Sequence, residues 1–340
     1  MKIRPSPTFP ILVLFFLLAC NLASPESMAG RYATATWTAT HPPTSTSQPT
    51  PSAVSAVTAT PEPAIQRVII LSMDGLRPDA IELAPMPNLL DLMKTSAYSL
   101  TAQTVRPSAT LPAHSSMLTG MCPSKHGVDW NDYIPQNGVA EGTDLFDLTH
   151  AAGMQNFMFV GKEKLQQVTD AFNIDRFVYI NDRDKVVMQT LLADFPQDFD
   201  VLFIHFATTD DMGHVYGWLS PEQLSVVFRA DEAIGELFIT LDERGLRDKT
   251  LLIVTADHGG HNLTHGSSMP EDMTIPWIIS GPGIRAEELT TPVHITDTAA
   301  TAAYALGLSI PAEWDGVPVL EAFGLSNENQ PSGLRCAIQP

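Results

Sequence analysis

Three short apolar runs, 68–73 (VIILSM), 201–207 (VLFIHFA) and 251–256 (LLIVTA), stand out from the mixed pattern of the chain and read as buried strands. Each is too short to cross a bilayer as a helix. Weaker runs at 157–160, 177–180 and 275–279 predict further strands. Helical spacing predicts helices over 87–94, 186–195, 221–244 and 297–306, the last with Asp297 as N-cap and Gly307 as C-cap. Strands alternating with helices predict an α/β fold around a mostly parallel sheet with helices on both faces. In such folds ligands bind outside the carboxyl ends of the strands.

The polar residues at those ends are the most informative in the chain. Asp74, Asp210 and Asp257 follow the three long runs in the contexts MDG, TDDMGH and ADHGGH. One aspartate after a strand is an ordinary turn residue. Three of them, accompanied by His214, His258 and His265, would concentrate buried charge at one sheet edge unless a cation shared it. Carboxylate and imidazole donors together suit zinc and related first-row ions. A hydroxyl candidate lies in PSATLPAH, where Pro112 marks an early helical position and Thr110 falls at the helix N-terminus. There it faces the positive end of the helix dipole, although a plain capping role would also suit it.

Composition narrows the classes that remain. The chain has 340 residues, 44% of them hydrophobic, and a formal net charge of −19. It lacks the basic stripe that duplex nucleic acid demands. An anionic ligand would therefore depend on local cations.

The first 66 residues stand apart. Lys2 and Arg4 precede an apolar run over 11–19, and Leu17-Leu18-Ala19-Cys20 resembles a bacterial lipobox, which predicts a signal peptide over 1–20 and lipidation at Cys20. Residues 21–66 are rich in Thr, Ser, Pro and Ala and predict a disordered linker, ahead of a catalytic domain over 67–325 and a tail over 326–340. The expected location is the bacterial cell envelope, outside the cytoplasm, or secretion if Cys20 stays unacylated. Of three cysteines, Cys122 and Cys336 remain, and spacing alone leaves a bridge between them open.

The stretches MDGLRPD, TLPAHSSMLTG, PSKHGVDWN, DDMGHVYG, ADHGGH and THGSSMPEDMTIPWIISGPG, in this order, resemble the type I phosphodiesterase and nucleotide pyrophosphatase family of the alkaline phosphatase superfamily. The resemblance implies an alkaline phosphatase-like three-layer α/β/α sandwich. It also implies a site for two divalent metal ions, expected as Zn2+: Asp74, Thr110, Asp257 and His258 would hold one, and Asp210, His214 and His265 the other. Thr110 would be the nucleophile of a phosphothreonine mechanism. Asn131, in DWND, matches an asparagine that hydrogen-bonds a phosphoryl oxygen. His261 competes with His265 for the last ligand position, and the family's His-Gly before an apolar strand favours His265. His114, His126 and His205 fall at positions that read as packing or helix-capping.

The substrate implied is a small phosphate ester with a phosphodiester or pyrophosphate bond. Lys162 and Lys164 follow a strand where some phosphatases of the superfamily clamp a terminal phosphate, which keeps a phosphomonoesterase as the alternative. A lipoprotein that only binds a phosphorylated envelope ligand is the non-enzyme alternative, and the oligomeric state is left open. Sulfatases share the fold but need C-x-P-x-R, and Cys122 stands in CPSKH instead.

Overall fold

The long apolar runs all form strands of one sheet. The structure, a computed structural model, describes residues 64–326 and residue 336. The expected signal peptide, the lipidation site Cys20 and most of the linker and tail lie outside the described residues. The strands are β1 Arg67–Met73, β2 Ala97–Gln103, β3 Asn156–Val160, β4 Arg176–Tyr179, β5 Val201–Phe206, β6 Thr250–Thr255, β7 Thr274–Ser280 and β8 Glu287–Glu288. They pair in the order β4-β3-β5-β1-β6-β7-β2-β8. All pairings are parallel except those of β7, which runs against both β6 and β2.

The helices are α1 Ala80–Leu83, α2 Pro87–Met93, α3 Thr110–Thr119, α4 Pro123–His126, α5 Leu145–Ala151, α6 Asp184–Ala193, α7 Thr208–Tyr216, α8 Pro221–Glu243, α9 Pro270–Met273 and α10 Asp297–Ala305. They form two layers. Leu252 of β6 lines a cleft with residues of α2 and α8. Thr255, of opposite parity on the same strand, pairs in register with Trp277, whose indole donates to Thr298 of α10. Successive side chains of a strand point to opposite faces, so α2 and α8 cover one face and α10 the other. This is the expected three-layer α/β/α sandwich.

Central strands β1, β5 and β6 are buried at every position but the first residue of β1. That burial explains why they read as continuous apolar runs rather than alternating ones. Strand β2 (AYSLTAQ) carries no such signal. Its buried positions include Ala97, Ser99 and Ala102, residues too small or polar to register as a hydrophobic stripe.

Both caps of α10 shift by one residue from expectation: the C-cap is Leu306, with Gly307 (φ +71°) just beyond it. The N-cap of α10 is Thr296, and Asp297 occupies the first turn. Its carboxylate is committed elsewhere, accepting from the backbone N–H groups of His294 and Val317 and so stapling two loops to the helix start. The question left open by the cysteines resolves as a disulfide, Cys122 to Cys336, with an S–S distance of 2.06 Å. It ties the end of the chain to the turn that follows α3.

A buried capping box starts α5. The Asp144 carboxylate accepts from Asp147 N–H, and the Asp147 carboxylate accepts from Asp144 N–H. Burial and the neighbouring Asp147 push the Asp144 carboxyl up to about 7. A carboxyl raised in the folded state stabilises the fold as pH falls from about 7 toward its unfolded value, and this contribution is absent above pH 7. Asp144→Asn keeps a capping side chain and removes that dependence. It should unfold at a higher temperature than the wild type at pH 8, with the gap narrowing toward pH 4; a gap that widens on acidification would contradict the assignment.

Candidate functional site

Parallel pairing places the carboxyl ends of β5, β1 and β6 side by side at one sheet edge. Register aligns Met73 with Phe206 and Ser72 with Thr255, so Asp74 and Asp257 leave the sheet together. Asp210 comes from the first turn of α7 rather than directly from a strand end, and His214 lies one turn later on the same helix. Gly75 makes the close approach possible. Its φ is +73°, its N–H donates to Asp257 Oδ1 at 3.0 Å, and a Cβ there would stand 3.2 Å from Asp210.

The predicted metal-binding residues converge into two overlapping groups. Donor atoms of Asp210, His214 and His265 lie within 4.8 Å of one another, as do those of Asp74, Asp210 and His258. His258 Nε2 is 3.4 Å from Asp74 Oδ1 and 3.4 Å from Asp257 Oδ2. His214 and His265 place Nε2 at 3.5 and 3.6 Å from Asp210 Oδ1. Ligands bound to one tetrahedral first-row ion at about 2.1 Å stand about 3.4 Å apart. Asp74 Oδ1, Asp210 Oδ1, Asp257 Oδ2 and His258 Nε2 are all buried without a hydrogen-bond partner. Orphaned donors of matching type and spacing fit divalent cations. His261 belongs to neither group, and its Nδ1 faces Asp272 Oδ1 at 2.7 Å.

Thr110 is the first residue of α3, fully buried, with Ala109 as N-cap. Asn131 lies at the same helix end, its Oδ1 accepting from Leu111 N–H at 2.9 Å and from the Lys164 ammonium at 3.1 Å. With the oxygen so engaged, its amide nitrogen carries the free donors. Lys162 is no surface residue. Its Nζ is 2.7 Å from Asp74 Oδ2, 2.6 Å from Asp210 Oδ2 and 3.4 Å from Thr110 Oγ1.

Electrostatics separate otherwise similar groups. Burial works to raise the Asp74 carboxyl, but Lys162, His205 and His258 outweigh it and hold it well below the usual carboxylate range. Burial and the adjacent Asp74 push Asp257 well above that range. Burial works to lower Lys162, and Asp74 and Asp210 reverse this and raise it. Burial and the stacked His258 lower His265 to about 4, which leaves its imidazole neutral and able to ligate at pH 7.

A second tier of side chains lies beneath. His205 Nε2 sits 3.0 Å from Asp74 Oδ2. His114 links Ser72 Oγ at 2.9 Å and the Thr110 carbonyl at 2.8 Å. Both therefore orient the site, a larger role than the packing or capping expected for them. His126 bonds Ser116 on α3 and Val128 N–H, in keeping with that expectation. Trp218 was not singled out from the sequence. Its indole donates to the Gly75 carbonyl and its ring lies edge-on to His214 and His265.

The family described as Type I phosphodiesterase / nucleotide pyrophosphatase matches residues 68–147 and 150–272. The chain belongs to this family. Among its relatives, the human GPI ethanolamine phosphate transferase 2 catalytic subunit is 27% identical over 305 residues, covering 81% of this chain and 30% of the relative. Human ectonucleotide pyrophosphatase/phosphodiesterase family member 5 is 26% identical over 219 residues, 58% of this chain and 46% of the relative. The chain thus spans less than half the length of these two curated relatives.

The fold is shared with solved structures. Murine ectonucleotide pyrophosphatase / phosphodiesterase 5, an inactive form in complex with AMP, superposes with a TM-score of 0.63 at 17% identity, covering 72% of this chain and 96% of that one. Phosphonate monoester hydrolase from Silicibacter pomeroyi does so with a TM-score of 0.62 at 16% identity, covering 78% of each chain.

The histidine assignments can be tested by metal analysis of purified variants. His214→Ala and His265→Ala should each bind less divalent metal than the wild type, whereas His261→Ala, which lies in neither donor group, should bind as much. Equal losses in all three variants would show that His261 is also a ligand.

Proposed function

We propose that the protein is an extracytoplasmic phosphoesterase that cleaves phosphodiester or pyrophosphate bonds of nucleotide-type substrates through a phosphothreonine at Thr110. The observation that carries this reading is the buried Thr110 hydroxyl at the start of α3, beside Lys162, whose ammonium spans carboxylates of both donor groups. Asp74, Thr110, Asp257 and His258 would hold one divalent cation, and Asp210, His214 and His265 a second, with zinc favoured by the nitrogen and oxygen donors. Bound there, such ions would supply Lewis acidity that lowers the pKa of a hydroxyl or water and offsets phosphoryl charge.

The chain's own residues account for the remaining steps. Thr110 Oγ attacks phosphorus as the bond to the leaving oxygen breaks, and the leaving group departs with a proton. Water then attacks the phosphothreonine, releasing the phosphoryl product and restoring the hydroxyl. Asn131 offers its amide N–H groups to a non-bridging oxygen, and the N-terminus of α3 favours negative charge at the same place. The match to the family and the AMP complex of the murine structure support nucleotides as the substrate class.

A second reading, phosphomonoester hydrolysis, is favoured by the two ammonium groups of Lys162 and Lys164 beside Thr110 and Asn131. A terminal phosphate carries the extra charge that two cations would hold. The lipobox at Cys20 would anchor the domain outside the cytoplasm, and the Cys122–Cys336 bridge suits an oxidising compartment. Among the described residues no helix is long and apolar enough to cross a membrane.

Thr110→Ala should lower kcat by on the order of 10⁴-fold. Rates measured on an aryl phosphodiester, a nucleotide diester and an aryl phosphate monoester decide between the two readings. Wild-type turnover in the Thr110→Ala variant would eliminate the phosphothreonine.

A further inference from the structure

We propose that Gln167 is a positioning residue that sets the place of Asn131 by holding the whole loop from Trp130 to Ala140. The inference rests on the reading above only in taking Asn131 as a phosphoryl contact. Gln167 is 2% exposed and ends a short 3-10 helix over Glu163–Gln167, the segment that also carries Lys164. Its side-chain amide is fully spent on the loop. Nε2 donates to the Ile134 carbonyl at 2.8 Å and the Gly138 carbonyl at 2.6 Å, while Oε1 accepts from Ile134 N–H at 2.8 Å and Trp130 Nε1–H at 3.5 Å. Its backbone carbonyl accepts from Ala140 N–H at 2.9 Å. One buried residue thus bonds the loop at its start, middle and end.

Packing holds the ends of the loop, where Trp130 and Ala140 meet the core, but does little for its middle. Tyr133, Pro135, Gly138 and Val139 of the loop face Met158, Leu165 and Phe177 across a cavity of about 250 Å³. Most of the loop is exposed, with Tyr133 39% and Val139 37% accessible. A loop that spans a void takes its position from directional hydrogen bonds, and Gln167 supplies nearly all that reach it from outside. The remaining tether is Asn131 itself, through Leu111 N–H and Lys164. The loop and the helix N-terminus are therefore aligned by one short segment, 162–167, that contacts both.

Gln167→Met keeps the length of the side chain and removes all four of its bonds. It should lower kcat/KM for the preferred phosphate ester by about tenfold to a hundredfold, the scale expected when a catalytic contact is displaced by about an ångström. In an Asn131→Ala background the same substitution should cost less than about twofold, because the contact it positions is already gone. Full additivity of the two losses would overturn the proposal.

Hydrogen exchange gives a readout independent of turnover. Amides of Ile134 and Ala140 should exchange faster in Gln167→Met while those of α3 stay as protected as in the wild type, and unchanged exchange in the loop would equally overturn it. If the wild type turns over none of the esters, the functional reading fails separately; orthovanadate affinity across the same four proteins then replaces kcat/KM in the cycle. If Gln167→Met does not fold, Gln167→Asn, with the same amide one methylene shorter, takes its place.

Discussion

Buried negative charge at the carboxyl edge of the sheet governs the architecture around it. Asp74, Asp210 and Asp257 are nearly or fully inaccessible and gather around His258. Two like charges about 4 Å apart in such surroundings repel by about 4 kcal/mol, so the arrangement persists only where positive charge or protons are supplied. Lys162 supplies the first. Its ion pairs with Asp74 and Asp210 help hold the Asp74 carboxyl low, whereas burial and the nearby Asp74 raise the Asp257 carboxyl more than Lys162 lowers it. Divalent cations in the two donor groups would answer the same demand more completely.

Several features elsewhere in the fold serve this edge. The order β5-β1-β6 brings together strands that lie far apart in sequence, and Gly75 lets the first loop pass close to the other two. His205 and His114 extend the polar site downward between the sheet and α3, while Trp218 closes it from the side of α7. The buried helix α3 carries Thr110 at its open end and is tied by the Cys122–Cys336 bridge just beyond its other end.

Residue patterns revealed the parts of the structure that local physics decides. Strands buried on both faces must be apolar throughout, so β1, β5 and β6 were legible, and polar residues at their ends were conspicuous by contrast. What stayed hidden depends on residues brought together from far along the chain. Strand β2 is defined by its pairing with β7 rather than by hydrophobic alternation. Asp297 turns from a helix cap into a staple because the backbone at Val317 reaches it. Nothing beside Gln167 in the sequence marks it, since its partners lie across the 130–140 loop.

The sequence by itself therefore determined the α/β class and the sheet-forming runs and marked out candidate residues for the site, because burial and chemistry act on each residue type where it stands. Only the tertiary structure decided which of them meet. It paired Cys122 with Cys336 and drew Lys162 inward among the carboxylates. These outcomes follow from sheet order and loop path, which depend on packing across the whole domain and leave no local trace in the chain.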